Sequence, residues 1–278
     1  MSGSNGKLGE KVAIVTGAGR GVGRATALML ARDGATVVVN DLDEQVANAV
    51  ADELTAEGFH SLVCAGSVTD PLFPDHLIQT TLDAFGRIDI LVNNAGYIWN
   101  GAMHNHSEEQ WQAMLDVHVT APFRILKSFS NWLRPQAKKE IAESGIAVCR
   151  KIVNVSSVSG TTGSATQIAY SSGKAAVVGL TKTLAKEWGR YNVTVNCVAF
   201  GHIETRLTQT YEDEPPLIDV GGRQHKVGLA AGQVEAVKRS ASLGRAGQPE
   251  DGAGAIYLFC IPESNFITGE VLTCSGGS

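Results

Sequence analysis

A glycine-rich turn set between an apolar strand and a helix constrains this chain more than any other segment. Lys11-Val-Ala-Ile-Val-Thr16 is a short β-branched run, and Thr16-Gly-Ala-Gly-Arg-Gly-Val-Gly23 follows it directly. Val22 to Asp33 then reads as a helix that stops at Gly34. The alternation continues. Thr36–Val39 is a strand, and Val46, Val50 and Leu54 recur on a helix that stops at Gly58. Leu62 and Val63 begin a third strand, a helix over Pro71–Phe85 stops at Gly86, and Ile88–Val92 is a fourth strand. Further on, Trp111, Met114, Leu115 and Val119 form a helical stripe, and Ile152–Val155 is a strand. A long helix over Tyr170–Trp188 is predicted to end at Gly189, and Val193–Val195 and Val271–Thr273 are the last strands. Apolar strands alternating with capped helices predict an α/β fold, a doubly wound parallel sheet of about seven strands with helices on both faces.

With 278 residues, 44% apolar and 18% charged, the chain can bury a large core. A prior of ~150 residues per domain suggests nearly two domains, but no linker or internal repeat divides the sequence. The reading is a flexible tail over residues 1–9 and a single domain over 10–278. The stretch from about 204 to 240 contains Pro215-Pro216 and Gly221-Gly222 but no evident strand, and is expected to be a lid-like insertion. A net charge of −5 without a polybasic run argues against a nucleic-acid partner. No membrane span is expected, because the uncharged Ile152–Gly173 stretch is rich in Ser, Thr and Gly, and no signal peptide, because Met1–Gly9 lacks an apolar core. The five cysteines are scattered without CxxC spacing, as expected of reduced thiols in a cytoplasmic protein. His104 and His106 lack a third donor, so no metal is expected.

Two constellations carry chemistry. The glycine turn between strand and helix permits backbone N–H groups to approach a pyrophosphate. Asp41, about 20 residues on, closes the second strand, where a carboxylate accepts from adenosine ribose hydroxyls. Tyr170 and Lys174 lie one turn apart on a single helix face. An ammonium there is expected to lower the phenol pKa, so that the tyrosine exchanges protons near neutral pH. Ser157 ends a buried strand, the position where open α/β sheets place their sites.

Together these segments resemble the short-chain dehydrogenase/reductase family from Lys11 to Gly277. Asn93-Asn-Ala-Gly96, Asn154-Val-Ser-Ser157 and Asn196-Cys-Val-Ala-Phe-Gly201 stand in the family's order and spacing. The resemblance implies a Rossmann fold and a nicotinamide cofactor. It makes Tyr170 the proton donor and acceptor, Ser157 the partner of the substrate oxygen, and Lys174 the holder of the nicotinamide ribose. Gly17, Arg20, Gly21, Val22 and Gly23 would contact the pyrophosphate and adenosine side, with Asp41 and Leu42 at the ribose and Ser67 and Val68 at the adenine. Asn94, Ala95 and Gly96 would line the middle, and Ile203 and Thr205 the nicotinamide end.

The sequence departs from the family pattern in three places. His118 replaces an asparagine that supports a proton relay, Phe200 replaces a proline, and Ser67 replaces an aspartate. An imidazole at position 118 is expected to titrate near pH 6.5, with alcohol oxidation slowing below it. Trp99, Gln167 and Phe200 are expected to wall the substrate pocket. The family closes this pocket with a helix pair, but here Glu212–Pro216 makes a poor helix and only Gln233–Arg239 is expected to be helical. Asp41 favours NAD(H); Arg20 is the counterweight toward NADP. The implied reaction interconverts a secondary alcohol and a ketone, with a 3-oxoacyl or 3-hydroxyacyl thioester as the leading substrate. The alternatives are a steroid, terpenoid or cyclic alcohol, or a dinucleotide-binding scaffold without turnover. Family pairing through the tyrosine helix implies a homotetramer.

Overall fold

The Val12-Ala-Ile-Val15 strand, β1, faces a different core with each successive residue. Ala13 and Val15 enter one apolar cluster, Val12 and Ile14 the other, as the period of two requires. A strand buried on both faces needs helices on both. In the computed structural model, which describes residues 6–278 apart from the side chains of residues 229–231, 233, 237 and 238, those helices are present.

After β1 come α1 (Gly21–Arg32), β2 (Thr36–Val39), α2 (Glu44–Ala56), β3 (Ser61–Val63), α3 (Phe73–Phe85) and β4 (Ile90–Asn93). Then follow α4 (Glu108–Leu115), α5 (Ala121–Ser144), β5 (Arg150–Ser157), α6 (Val158–Thr162), α7 (Ile168–Trp188) and β6 (Val193–Phe200). The chain continues through β7 (Thr210–Tyr211), β8 (Leu217–Val220), β9 (Arg223–Lys226), β10 (Leu229–Ala230), α8 (Ala231–Ser240), α9 (Pro249–Cys260) and β11 (Val271–Cys274). The main sheet has seven strands in the order β11-β6-β5-β4-β1-β2-β3. All its pairings are parallel. Helices α1, α2 and α9 pack on one face. Helices α3, α5 and α7 pack on the other. The strand order reverses between β1 and β4, so a crevice opens there beyond the carboxyl ends of the strands.

Several expectations need correction. Residues 1–5 of the expected tail lie outside the described residues, but within residues 6–9 Leu8 is packed. Leu8 is 2% exposed within the first core cluster, and its N–H donates to the Asp33 carbonyl. Gly189 does not cap α7 in a left-handed conformation. The helix tightens into a 3₁₀ turn over Gly189–Tyr191, and Asn192 takes the left-handed conformation at φ 56°. The stretch expected to lack strands carries the antiparallel hairpin β8–β9, whose turn is Gly221-Gly222. Its register pairs Ile218 with His225. One helix, α8, follows it and covers the expected Gln233–Arg239 segment, and the family's other lid helix has no counterpart at Glu212–Pro216.

Strand β5, which delivers Ser157, is anchored at its far end by a nearly buried ion pair. Arg150 meets both carboxylate oxygens of Glu140 at 2.6 and 3.0 Å, with side chains 3% and 12% exposed. Trp132 lies under the guanidinium at 5.0 Å, and the Val148 N–H donates to Glu140. Hydrogen bonding from Arg150 holds the Glu140 pKa down at about 2. A carboxylate with its folded pKa depressed stabilises the fold above about pH 4.5, and that stability is lost as pH falls toward 2. Glu140→Ala should therefore cost about 3–5 kcal/mol in urea unfolding at pH 7, because it leaves a buried guanidinium uncompensated. The difference from wild type should shrink as pH falls through that window.

Candidate functional site

The crevice at the strand-order reversal is a single cleft of about 1020 Å³. Its floor is a knot of backbone between β1, α1 and β4. Gly17 is left-handed at φ 62°, and a Cβ there would stand 2.8 Å from the Ala95 Cα. A Cβ on Gly23 would meet the Gly17 carbonyl oxygen at 2.0 Å. Only glycine lets the first turn of α1 come this close. The Asn94 amide donates to the Thr16 and Gly17 carbonyls at 2.9 and 3.1 Å, and its own N–H donates to the Thr16 hydroxyl. No side chain caps α1, whose N-cap is Arg20. Its first-turn N–H groups are thus left for an anion. The donor set and the space withheld from a Cβ fit a pyrophosphate.

At one end of the cleft, Asp41 accepts from the Gly19 N–H at 3.0 Å and the Asp43 N–H at 3.2 Å. Leu42, Ser67 and Val68 line the same end, and the Ser67 hydroxyl pairs with that of Thr69. Arg20 reaches Asp43 at 3.5 Å across exposed surface. Arg206, which sequence reasoning did not single out, also lines the cleft. Burial and then Arg20 lower its pKa, while Asp41 and Asp43 raise it, so the guanidinium lies in the same corner. Asn94, Ala95, Gly96, Ile203 and Thr205 continue the lining toward the other end.

At that end stand Ser157, Tyr170 and Lys174. Ser157 is buried, donates to the Phe200 carbonyl at 3.3 Å, and accepts from the Ser159 N–H at 3.1 Å. Lys174 is 5% exposed, donates to the Val155 carbonyl at 2.8 Å, and lies 5.7 Å from the Tyr170 ring centre. Burial pushes the Lys174 pKa down to about 8. The expected lowering of the Tyr170 pKa is reversed: burial raises it to about 12, and the hydrogen bond with Ser157 opposes that only in part. Desolvation of the phenolate prevails because the ammonium is turned to a carbonyl.

His118 sits in a π-helical turn, Asp116–Thr120, between α4 and α5. This one-turn widening carries the ring inward, to 2% exposure. Its Nε2 donates to the Tyr97 carbonyl at 2.8 Å, and its ring meets that of Tyr170 edge-on at 5.0 Å. In the neutral ring Nδ1 is then an acceptor, and it is buried without a hydrogen-bond partner among the described residues. A Cβ at Gly96 would stand 2.5 Å from the imidazole Cε1, so that glycine makes room for the ring. Burial first, and Lys174 second, hold the His118 pKa well below 6.5. The expected titration near pH 6.5 is therefore corrected: the ring stays neutral there.

Of the expected pocket walls, Gln167 and Phe200 line the cleft. Trp99 does not. Its indole packs edge-on against His225 of the hairpin at 4.5 Å, behind the lining. Sequence reasoning also missed Tyr97, Ile218 and Val220 of the lining. The Gly-Gly dipeptide following Leu217-Ile-Asp-Val220 was the available hairpin signal.

Known proteins resemble this chain in sequence over most of its length. The family model described as short chain dehydrogenase matches residues 11–216. A 3-oxoacyl-[acyl-carrier-protein] reductase from Synechocystis sp. is 39% identical over 272 residues, 97% of each chain. The 3-oxoacyl-[acyl-carrier-protein] reductase FabG of Vibrio cholerae is 38% identical over 270 residues, 97% of this chain and 98% of that one. The (2S)-[(R)-hydroxy(phenyl)methyl]succinyl-CoA dehydrogenase subunit BbsD of Thauera aromatica is 36% identical over 268 residues, 96% of each. With a family model spanning most of its length and relatives matching nearly end to end, this chain belongs to the short-chain dehydrogenase family and is an oxidoreductase acting on CH–OH and keto groups.

Proposed function

We propose that the protein interconverts a 3-oxoacyl thioester and its 3-hydroxyacyl counterpart with NAD(H). The observation that carries the reaction is the shared cleft end of Ser157, Tyr170 and Lys174, with the glycine knot at its middle. The activities for which the relatives are named support a thioester, on either a carrier protein or coenzyme A. Family membership removes the reading of a scaffold without turnover, and nothing in the site favours a steroid, terpenoid or cyclic alcohol. Asp41 supports NAD(H), because a carboxylate already held by two N–H groups accepts ribose hydroxyls and repels a 2′-phosphate. Arg20, paired to Asp43 on exposed surface, offsets little of that repulsion.

When bound, the nicotinamide supplies or accepts the hydride. The residues do the rest. Ser157 hydrogen-bonds the substrate oxygen, and Tyr170 gives that oxygen its proton in reduction and takes it in oxidation. Lys174 holds the nicotinamide ribose, and its ammonium favours the phenolate once the Val155 contact is shared. His118 supports reprotonation through its free Nδ1, as a neutral acceptor rather than a titrating switch. Gln167 and Phe200 bound the substrate, and the insertion over residues 204–240 acts as the lid. The five thiols are free, which supports a cytoplasmic location, and among the described residues no helix is long and apolar enough to cross a membrane. A homotetramer is supported by the small exposed residues Ala175, Ala176 and Gly179 on α7, and by Phe266, which is fully exposed. A monomeric mass in sedimentation at micromolar concentration would overturn that assembly.

Tyr170→Phe should reduce kcat with a 3-oxoacyl thioester and NADH by ~10²-fold or more, with NADH affinity nearly kept. Turnover that survives this change intact would remove the tyrosine from the mechanism. Reduction uses the neutral phenol, which a pKa raised to about 12 maintains across neutral pH. Oxidation uses the phenolate, so its rate should climb steadily from pH 6 to 9, without a histidine limb near 6.5. A flat oxidation profile, or a limb at 6.5 that His118→Asn abolishes, would contradict this assignment.

Lys174 offers a test in stability. Its folded pKa, about 8, lies below the ordinary 10.5, so the fold disfavours the ammonium at every pH below about 8. Lys174→Met should raise the stability of the cofactor-free protein at pH 7 by ~1–3 kcal/mol, despite the lost bond to Val155. Between pH 8 and 10.5 that gain should fade. Denaturant unfolding at pH 7 and pH 10 measures both, and destabilisation at pH 7 would contradict the buried-charge reading.

A further inference from the structure

The hairpin β8–β9 does not stop over the reacting end of the cleft. Its turn carries it to the opposite end, where a Cβ on Gly221 would stand 4.0 Å from the Leu42 side chain. Leu42 follows Asp41 beyond β2, whereas Ser157 ends β5. In the order β5-β4-β1-β2, those strand ends are three spacings apart, about 14 Å. Ile218, Val220 and Arg223 line the same cleft as the glycine turn and Asp41. A strap serving only the substrate would have no reason to reach Leu42.

We propose that this hairpin is a clasp over the adenosine half of the dinucleotide site, and that its opening sets how fast the cofactor leaves. The inference rests on the reading of the cleft as a dinucleotide site. Three contacts bear on how the clasp closes, and none of them is a buried polar bond. Its turn touches Leu42 by apolar contact alone. Arg223 reaches Glu109 of α4 at 2.8 Å, with both side chains 59% exposed, a pair that water and salt screen. His225 is 2% exposed between Tyr97, at 4.9 Å, and Trp99, at 4.5 Å. Neither of its ring nitrogens has a hydrogen-bond partner among the described residues, so the slot holds it by packing and opens without breaking a polar bond. A two-stranded hairpin gains little from its own ladder, so its position depends on these fastenings. An element held this way is ordered when closed and free to cycle.

The test uses the full chain, with NADH and ADP-ribose as probes. ADP-ribose carries the adenosine half and lacks the nicotinamide. Stopped-flow displacement of NADH by excess ADP-ribose, followed by nicotinamide fluorescence, gives the release rate. Arg223→Ser and Glu109→Gln change exposed side chains and should leave folding intact. Each should raise the NADH release rate several-fold, and Arg223→Ser with His225→Ser about tenfold or more. ADP-ribose affinity should fall in parallel. In wild type, hydrogen exchange over residues 217–226 should slow when ADP-ribose alone is added. Unchanged release rates with unchanged exchange would overturn the clasp while leaving the dinucleotide site standing. Wild-type protein that binds neither NADH nor ADP-ribose would overturn both.

Discussion

Everything at the cleft depends on how closely α1 can approach the loop that precedes it. The Gly17 carbonyl lies where any side chain on Gly23 would begin, and Asn94 fills the remaining hydrogen-bonding capacity of that loop. One steric allowance thus fixes three elements relative to each other. It points the uncapped first turn of α1 into the crevice and fixes the end of β4 against β1. Ala95 and Gly96 then follow in a set position, and Gly96 in turn admits the His118 ring. Volume withheld at glycine positions, rather than any added contact, organises the path from the pyrophosphate cradle to the proton-handling residues.

Burial shapes the chemistry at the other end. Lys174, Tyr170 and His118 are each displaced toward the neutral form, chiefly by desolvation. Such a site stores its charge cost in the cofactor-free state and recovers part of it when an anionic or hydrogen-bonding group arrives. It also explains why a single Lys–Tyr helix spacing is a poor guide to proton affinity. The spacing says that the two side chains share a face, not that the ammonium is directed at the phenol.

Most of the sheet was legible because both-face burial makes parallel strands uniformly apolar, and glycines mark several of the boundaries between elements. The glycine turn and Ser157 were legible because they sit at strand ends, where this topology converges, and Tyr170 and Lys174 because their spacing places both on one face of a helix. What stayed hidden required information from elsewhere in the chain. Residue His118 is turned inward by a π-helical turn that leaves no pattern in an amphipathic stripe. The side chain of Trp99 was expected to face the cleft, but His225, more than a hundred residues on, covers it. Strands β8 and β9 carry Asp219, Arg223, Gln224 and Lys226 among few apolar residues, so their alternation is faint although Gly221-Gly222 marks the turn. The packed state of Leu8 was missed because a lone apolar residue among small polar ones gives no periodicity.

The buried thiols have a use that concerns neither cofactor nor substrate. Cys64 follows the edge strand β3, Cys197 lies in β6 toward the other edge of the same sheet, and Cys260 ends α9, so the three sample different regions of the molecule. Burial raises all three thiol pKa values, to about 11 for Cys197 and about 12 for Cys260, which leaves almost no thiolate at neutral pH. In the closed fold they are chemically silent toward alkylating reagents and mild oxidants. Each becomes reactive only when its own surroundings open, so the rate at which each thiol is labelled records the opening of one region. The chain thereby contains three native reporters of local unfolding, spread from the sheet edge to the outer helix layer, with no foreign probe required.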